Sequence, residues 1–179
     1  LKPTYYKPHN LKTLSLDIET SIDGKKLYCL SLYSNNYKKY LIVSKNKVKD
    51  AISFIDEETL LENFQKLLVL EDPDIITGWN VIGFDLNFLK EKFQQYKIPF
   101  QLGRDNAISK IKLEKGFFRD SKADVVGRQV LDGLLLLRSS FVKVRDYKLD
   151  TVASDILGKK KLIAHKDKSK IDQIYKDDP

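Results

Sequence analysis

The chain of 179 residues contains one cysteine, two histidines and no methionine. The single cysteine, Cys29, excludes an internal disulfide and indicates a reducing compartment. One cysteine and two histidines are too few for an ordinary four-ligand zinc site. No apolar run approaches the roughly 18 residues that a membrane-spanning helix needs. Because methionine is absent, Leu1 is not expected to be a native start, and the sequence is predicted to be part of a longer protein.

Basic residues are in excess but are unevenly distributed. The net charge is +7, and residues 1–49 carry ten Lys or Arg against three Asp or Glu, whereas residues 50–75 carry one against eight. A basic surface suits binding to a phosphate backbone. A lysine-rich composition without any binding role explains most of these lysines equally well, so charge alone does not decide the function.

Residues 11–19 are predicted to form a strand that ends in two carboxylates. Apolar and polar residues alternate along this segment with the period of two that is typical of a strand with one buried face. Asp17 and Glu19 therefore leave the same face, about 6.6 Å apart at Cα from the ~3.3 Å rise per residue. A divalent cation, which prefers oxygen ligands, would remove the repulsion between them. A charged strand end in solvent is the simpler alternative.

A third carboxylate follows a second strand. Residues 74–77 form a predicted short strand, and residues 84–95 form a predicted helix in which apolar side chains recur at helical spacing. Asp85 lies in the first turn of this helix, where the helix dipole favours a negative charge. It also follows a strand of the parallel type, and open α/β sheets place their sites at such strand ends. Trp79, in the loop between strand and helix, is expected to pack in the core.

The remaining elements complete an α/β pattern. Strands 27–33 and 37–43 are predicted to pair across a turn at 34–36, and Asp56 is predicted to cap a helix with an apolar face at Leu60, Leu61, Phe64, Leu67 and Leu68. Short irregular strands are expected within 99–126, a strand ends at Val130-Leu131, and helices are expected at 133–141 and 149–157. Gly158 ends the last helix. An antiparallel meander is therefore followed by a β-α-β-α sequence.

The two carboxylate segments together resemble a known family. Asp17-Ile18-Glu19-Thr20, followed about sixty residues later by Asn80-x-x-x-Phe84-Asp85, resembles the first two exonuclease motifs of family B DNA polymerases. Further segments look most like the bacterial polymerase II branch of that family: Gly103-Arg104-Asp105-Asn106 and Leu131-Asp132-Gly133. The resemblance extends from about Leu11 to Pro179.

The resemblance implies a fold, an activity and a set of site residues. The fold would be ribonuclease H-like (DEDD exonuclease), with a mixed five-stranded central sheet flanked by helices, and the activity would be 3′→5′ hydrolysis of DNA by two-metal catalysis. Asp17, Glu19 and Asp85 would be the catalytic carboxylates and would bind two divalent cations, Mg²⁺ or Mn²⁺. Asp17 is expected to bridge the cations as the most deeply set of the three. Substrate contacts are implied for Ile18, Thr20, Asn80 and Phe84.

The same resemblance implies partners and a location. The substrate would be the 3′ end of single-stranded DNA, and the partners would be the remaining domains of the parent polymerase and, through the parent, a sliding clamp. No membrane partner is expected. The implied location is the cytoplasm of a bacterium, at the nucleoid.

One family motif is missing. The third motif is Tyr, three residues and Asp, and it would supply a fourth carboxylate, but Tyr147 to Asp150 and Tyr175 to Asp178 each enclose only two residues. Residues 1–179 are therefore interpreted as a single exonuclease-domain fragment that ends before this motif, with a flexible tail at 159–179 and weak or no activity. A free-standing DEDD-type nuclease and a catalytically dead module that binds nucleic acid are the alternatives.

Overall fold

The computed structural model describes residues 10–114 and 121–158, together with residues 173 and 175. The elements follow one another as β1 (Thr13–Thr20), β2 (Leu27–Ser34), β3 (Tyr37–Val43), β4 (Ile52–Phe54), α1 (Glu57–Glu71), β5 (Ile75–Gly78), a π-helix (Ile82–Leu86), α2 (Asn87–Gln95), β6 (Lys110–Lys112), β7 (Lys122–Asp124), β8 (Gln129–Asp132), α3 (Gly133–Ser139) and α4 (Leu149–Leu157). None of the helices within this described part is long and apolar enough to cross a membrane.

The main sheet is mixed and has six strands in the order β4-β3-β2-β1-β5-β8. The β1–β2 and β2–β3 pairs are antiparallel, and the β3–β4, β1–β5 and β5–β8 pairs are parallel. The predicted mixed α/β sheet is confirmed, but the predicted number of five strands is wrong. The additional strand is β4, which has only three residues and is therefore too short to show a hydrophobic period.

The core lies on one face of this sheet. Leu14, Leu16 and Ile18 of β1 are buried, whereas Asp17 and Glu19 on the opposite face are exposed, as the alternation predicts. Helices α1 and α2 supply the buried residues that join these strand residues in one hydrophobic cluster, and these are Leu60, Leu61, Phe64, Leu68, Phe88, Leu89 and Phe93. Asp56 caps α1 as predicted, because its side chain accepts a hydrogen bond of 2.8 Å from the Thr59 N–H.

The predicted helix 84–95 begins differently. Its first part is a π-helix, in which the Leu86 N–H donates to the Val81 carbonyl at 2.8 Å across five residues instead of four. The extra residue in the turn changes which side chains face inwards. Phe84, within the π-helix, is 46% exposed, whereas Phe88, in α2, is 8% exposed.

Two arginines fasten the end of α1 to the start of β5. Arg104, from the Gly-Arg-Asp-Asn segment, contacts Asp72 at 2.7 Å and Asp74 at 2.8 Å. Arg128, which is buried, contacts the same Asp72 at 2.9 Å. These ion pairs hold the chain that leads into β5. The Gly-Arg-Asp-Asn segment therefore has a structural role.

The tail 159–179 lies outside the described residues except at positions 173 and 175, so its predicted flexibility stays a prediction. Tyr175 stacks on Tyr28 with ring centroids 4.7 Å apart. The side chain of Cys29 is buried within β2.

A buried ion pair joins α1, α2 and the β1–β2 connection. The Lys92 ammonium lies 2.6 Å from a Glu57 carboxylate oxygen, and both side chains are almost fully buried. Glu57 also accepts hydrogen bonds from the Leu27 N–H at 3.0 Å and the Tyr96 hydroxyl at 3.3 Å, while Lys92 donates to the Lys25 carbonyl. Removing one partner leaves the other as an uncompensated buried charge.

The substitution Lys92→Met is expected to destabilise the fold by about 3–5 kcal/mol, because the Glu57 carboxylate loses its counter-charge in a buried position. Urea denaturation of the chain measures this change. Lys112→Met is the matched control, since Lys112 forms an exposed ion pair with Glu114 at 2.8 Å, and such pairs contribute about 0–1 kcal/mol. Equal losses in the two variants would contradict a special role for the buried pair.

Candidate active site

Three parallel strands end side by side at the site. Strand β5 lies between β1 and β8, and Gly78 at its end is in register with Asp132 at the end of β8. A Cβ at position 78 would lie 2.5 Å from the Leu16 carbonyl oxygen, so only glycine allows this close approach of the two strands. The carboxyl ends of parallel strands are where open α/β sheets place functional groups.

The backbone of β1 reaches Asp85 by a direct hydrogen bond. Strand β5 pairs with β1 only as far as Ser15 and Thr77, and beyond this point the Ile18 N–H donates to Asp85 Oδ1 at 3.0 Å. Ile18 stands between Asp17 and Glu19 in the chain. The carboxylate of Asp85 therefore occupies the edge of β1 beside the other two acids.

Asp85 differs from Asp17 and Glu19 in its burial and therefore in its electrostatic environment. Asp85 is 2% exposed, and desolvation, followed by the negative charge of Asp17, raises the pKa of Asp85 to about 8. The hydrogen bond from Ile18 acts in the opposite direction, and the charge of Asp132 adds to the increase. The prediction that Asp17 is the most deeply set is wrong, because Asp17 and Glu19 are exposed on β1, whereas Asp85 is almost fully buried.

A groove of about 740 Å³ runs over the ends of β1 and β5. Its lining includes Asp17 and Glu19 from β1, Trp79, Asn80 and Phe84 after β5, Gly133 and Leu134 of α3, and Tyr147, Lys148 and Leu149 before and at the start of α4. The groove thus combines carboxylates, aromatic rings and a lysine.

The prediction that Trp79 packs in the core is wrong. Its side chain is half-buried and lines the groove. The ring rests on the start of α3, where a Cβ at position 133 would lie 3.4 Å from Trp79 Cε3. Trp79 therefore lies between the start of α3 and the groove instead of in the hydrophobic core.

The residues with implied substrate contacts divide into two groups. Asn80 and Phe84 line the groove, and Asn80 has a left-handed backbone with φ of +55°. Ile18 also borders it, but its side chain is buried in the core, so its backbone is the part available to the site. The structure does not bring Thr20 into the lining, and the Thr20 hydroxyl instead donates to the Ser21 carbonyl at 3.3 Å.

Sequence reasoning did not select three residues of the site. Tyr147 and Lys148 form part of the groove lining, and Asp132 is buried at the end of β8 with its carboxylate accepting backbone hydrogen bonds from the turn after β5. The signal for Asp132 was available, since it is a carboxylate at the C-terminal end of a strand, as Asp17 and Glu19 are. No local pattern indicates that 147–149 folds back to the groove.

The donor chemistry of the site suits a hard divalent cation. Asp17, Glu19 and Asp85 offer carboxylate oxygens, which are the ligands that Mg²⁺ and Mn²⁺ prefer, and a cation beside them would lower the raised pKa of Asp85. Within residues 10–114 and 121–158, however, no three His, Cys, Asp or Glu side chains are grouped closely enough to hold a metal ion. Binding would therefore require the three carboxylates to draw together.

Comparison with known proteins gives the family. The family described as DNA polymerase family B, exonuclease domain, matches residues 2–152. The chain belongs to this family of exonuclease domains.

The similar proteins are polymerases that are much longer than this chain. DNA polymerase II of Escherichia coli is 34% identical over 169 residues, which cover 90% of this chain and 21% of that protein. The DNA polymerase delta catalytic subunit of Bos taurus is 36% identical over 118 residues, which cover 61% of this chain and 11% of that protein. The chain thus spans between about a tenth and a fifth of these relatives.

The fold is that of a known polymerase region. The structure of the family B DNA polymerase from the archaeon Pyrobaculum calidifontis matches 98% of this chain and 22% of that chain, with a TM-score of 0.72 and 19% sequence identity. The expectation of the ribonuclease H-like fold of family B exonuclease domains is confirmed.

The raised pKa of Asp85 predicts a pH-dependent stability. A carboxyl whose folded-state pKa lies above its unfolded value favours folding below the unfolded value, and this contribution is lost as the pH rises towards 8. Relative to Asp85→Asn, the unmodified chain in EDTA should therefore lose stability between pH 4 and 8, by at most about 1.4 kcal/mol per pH unit. Urea denaturation of both chains at pH 5, 6, 7 and 8 measures the difference.

Asp56→Asn provides the opposite case for this measurement. The N–H of Thr59 holds the pKa of the Asp56 carboxyl below its usual range, so the unmodified chain should lose no stability relative to Asp56→Asn between pH 5 and 8. If the Asp85→Asn difference were also independent of pH, Asp85 would be ionised in the folded chain, and its assigned electrostatic environment would be wrong.

Proposed function

We propose that this chain is the 3′→5′ exonuclease domain of a family B DNA polymerase and that it removes nucleotides from the 3′ ends of single-stranded DNA as a proofreading activity in the cytoplasm. The observation that carries the proposal is the groove over the ends of β1 and β5, which is lined by Asp17 and Glu19, while the buried Asp85 is bonded to the Ile18 N–H between them. Membership of the family supports the polymerase domain over a free-standing nuclease.

The groove supports binding of a terminal nucleotide by its mixed lining. Trp79, Phe84 and Tyr147 present aromatic surface on which bases can stack, and stacking on such rings contributes about 1–3 kcal/mol per base without sequence preference. Lys148 adds a positive charge beside the carboxylates, where a phosphate of the backbone would lie. Such a site suits the end of a single strand better than a paired duplex, because the bases must be unstacked to reach the rings.

We infer that Asp17, Glu19 and Asp85 hold two divalent cations, Mg²⁺ or Mn²⁺. When bound, such cations supply an activated water and neutralise the charge that develops in phosphodiester hydrolysis. The chain itself contributes the exposed acidic pair of β1 and the buried Asp85, which the Ile18 N–H holds to the same strand. The aromatic residues that line the groove would orient the nucleotide. Action at a chain end, rather than within a strand, follows if the groove accepts the terminal base and excludes a continuing chain.

We also propose that the third motif of the family, with its tyrosine and fourth carboxylate, lies beyond Pro179 in the parent polymerase. Two facts support this arrangement: no Tyr-x-x-x-Asp occurs in the 179 residues, and the relatives are roughly five to nine times longer than the matched segment. The partners of the chain would then be the other domains of that polymerase and, through them, a sliding clamp.

Metal binding can be tested on the chain alone. Titration calorimetry with Mn²⁺ should show binding to the unmodified chain, and Asp17→Asn should weaken it at least tenfold, because one of three carboxylate ligands is lost. Glu62→Gln is the charge-matched control, since Glu62 is exposed on α1 and outside the groove. Equal Mn²⁺ affinity in Asp17→Asn and Glu62→Gln would show that the cations bind elsewhere.

Hydrolysis tests the function itself. A 5′-labelled single strand incubated with the chain and Mg²⁺ or Mn²⁺ should shorten stepwise from its 3′ end, and a chain extended through the third motif should act faster, by roughly 100-fold, because positioning of the reacting groups improves. Circular single-stranded DNA should resist both proteins. Cleavage of the circle would contradict exonuclease action, and inactivity of the extended chain would favour a catalytically dead module that only binds nucleic acid.

A further inference from the structure

Asp132 stands at the junction of three segments of the site. It is the last residue of β8, it lies opposite Gly78 of β5, and it is only 4% exposed. Helix α3 begins at the next residue, and the turn that follows β5 passes in front of the Asp132 carboxylate. A buried carboxylate needs hydrogen-bond donors around it, because its desolvation is otherwise unfavourable.

Four backbone N–H groups surround this carboxylate. Oδ1 accepts from Leu134 at 2.9 Å and Leu135 at 3.4 Å, which is the usual arrangement of a helix N-cap, and also from Asn80 at 3.1 Å. Oδ2 accepts from Ile82 at 3.0 Å. The residue thus does more than cap α3, since both of its oxygens also hold the turn after β5.

That turn leads into one wall of the groove, which is formed by the side chains of Trp79, Asn80 and Phe84. Trp79 and Asn80 lie in the turn, and the π-helix with Phe84 and Asp85 follows directly. The backbone of Asn80 is left-handed, with φ of +55°, a conformation that is uncommon outside glycine and that asparagine tolerates better than most residues. The bonds from Asn80 and Ile82 to Asp132 enclose this residue on both sides and provide the fixing contacts.

We propose that Asp132 is the positioning residue of the active site: its carboxylate ties the turn 79–82 to the rigid start of α3 and so sets where the groove wall and Asp85 stand relative to β1. It acts through these backbone groups and does not need to touch the substrate. The consequence for hydrolysis rests on the proposed function, but the consequence for the turn does not.

Serine separates the two roles of Asp132. Serine is a good N-cap, so Asp132→Ser keeps a cap on α3, but its single short hydroxyl cannot reach the N–H groups of the turn as two carboxylate oxygens do. Asp132→Asn is the milder second variant, because it keeps one acceptor oxygen. Its NH₂ group is a donor, however, and would face at least one backbone N–H that is also a donor. Asp56→Ser is the matched control, since it makes the same replacement at the N-cap of α1, outside the groove.

Trp79 is the only tryptophan of the chain and lies in the turn itself. Its fluorescence and its quenching by acrylamide therefore report the position of the turn without reference to any activity. Asp132→Ser should increase quenching at least twofold and, in the intact polymerase, should lower kcat for hydrolysis of a 5′-labelled single strand roughly 10- to 100-fold with less change in KM. Asp132→Asn should show the same changes to a smaller extent, and Asp56→Ser should show neither.

The outcomes separate the two proposals. Unchanged quenching in both Asp132 variants would overturn the positioning role, and so would changed quenching with unchanged kcat. Should the unmodified polymerase not hydrolyse the strand at all, the proposed function fails, while the quenching comparison still decides whether Asp132 holds the turn. If Asp132→Ser does not fold, the comparison of Asp132→Asn with Asp56→Asn decides in the same way.

Discussion

The hydrogen bond from the Ile18 N–H to Asp85 is the contact on which the rest of the site depends. A strand inside a sheet has its N–H groups paired on both sides, yet β5 leaves β1 after Ser15, and the edge beyond would expose an unpaired donor. Asp85 supplies the missing acceptor at 3.0 Å. The same contact brings the buried Asp85 next to the exposed Asp17 and Glu19. One hydrogen bond therefore both pairs a backbone N–H and brings the carboxylates of the site together.

The π-helix makes this contact possible. Its bond from the Leu86 N–H to the Val81 carbonyl accommodates one more residue than an α-helical turn, which turns Asp85 towards β1 while Phe84 faces the groove. Such turns are less favourable than regular helix and occur often at functional sites. In this turn Phe84 stays close to Phe88, with ring centroids 6.4 Å apart, yet Phe84 is half-exposed and lines the groove whereas Phe88 is buried.

The sequence predicted those features that local patterns encode. Alternation in β1 placed Asp17 and Glu19 on one face, the cap at Asp56 marked the start of α1, and the motif spacing indicated that Asp85 joins them. The features that it failed to predict depend on contacts between distant segments: the short strand β4, the π-helix, the half-exposed position of Trp79 and the greater depth of Asp85. Trp79, for example, lies against Gly133, which is more than fifty residues away in the chain, and no period within either segment contains that information.

The surroundings of each carboxylate explain how neighbouring acids can serve different purposes. Asp132 accepts four backbone N–H bonds, so its oxygens are committed to the chain and it suits a structural role. Asp17 and Glu19 lie on the exposed face of β1, where water or a cation can approach. Asp85 stands between these cases, since it is buried like Asp132. The hydrogen bond from the Ile18 N–H does not offset its burial and the negative charge of Asp17, so the pKa of Asp85 rises to about 8. A buried acid with a raised pKa has the most to gain from a nearby positive charge, and this favours Asp85, rather than Asp132, as the third carboxylate of the proposed cation site.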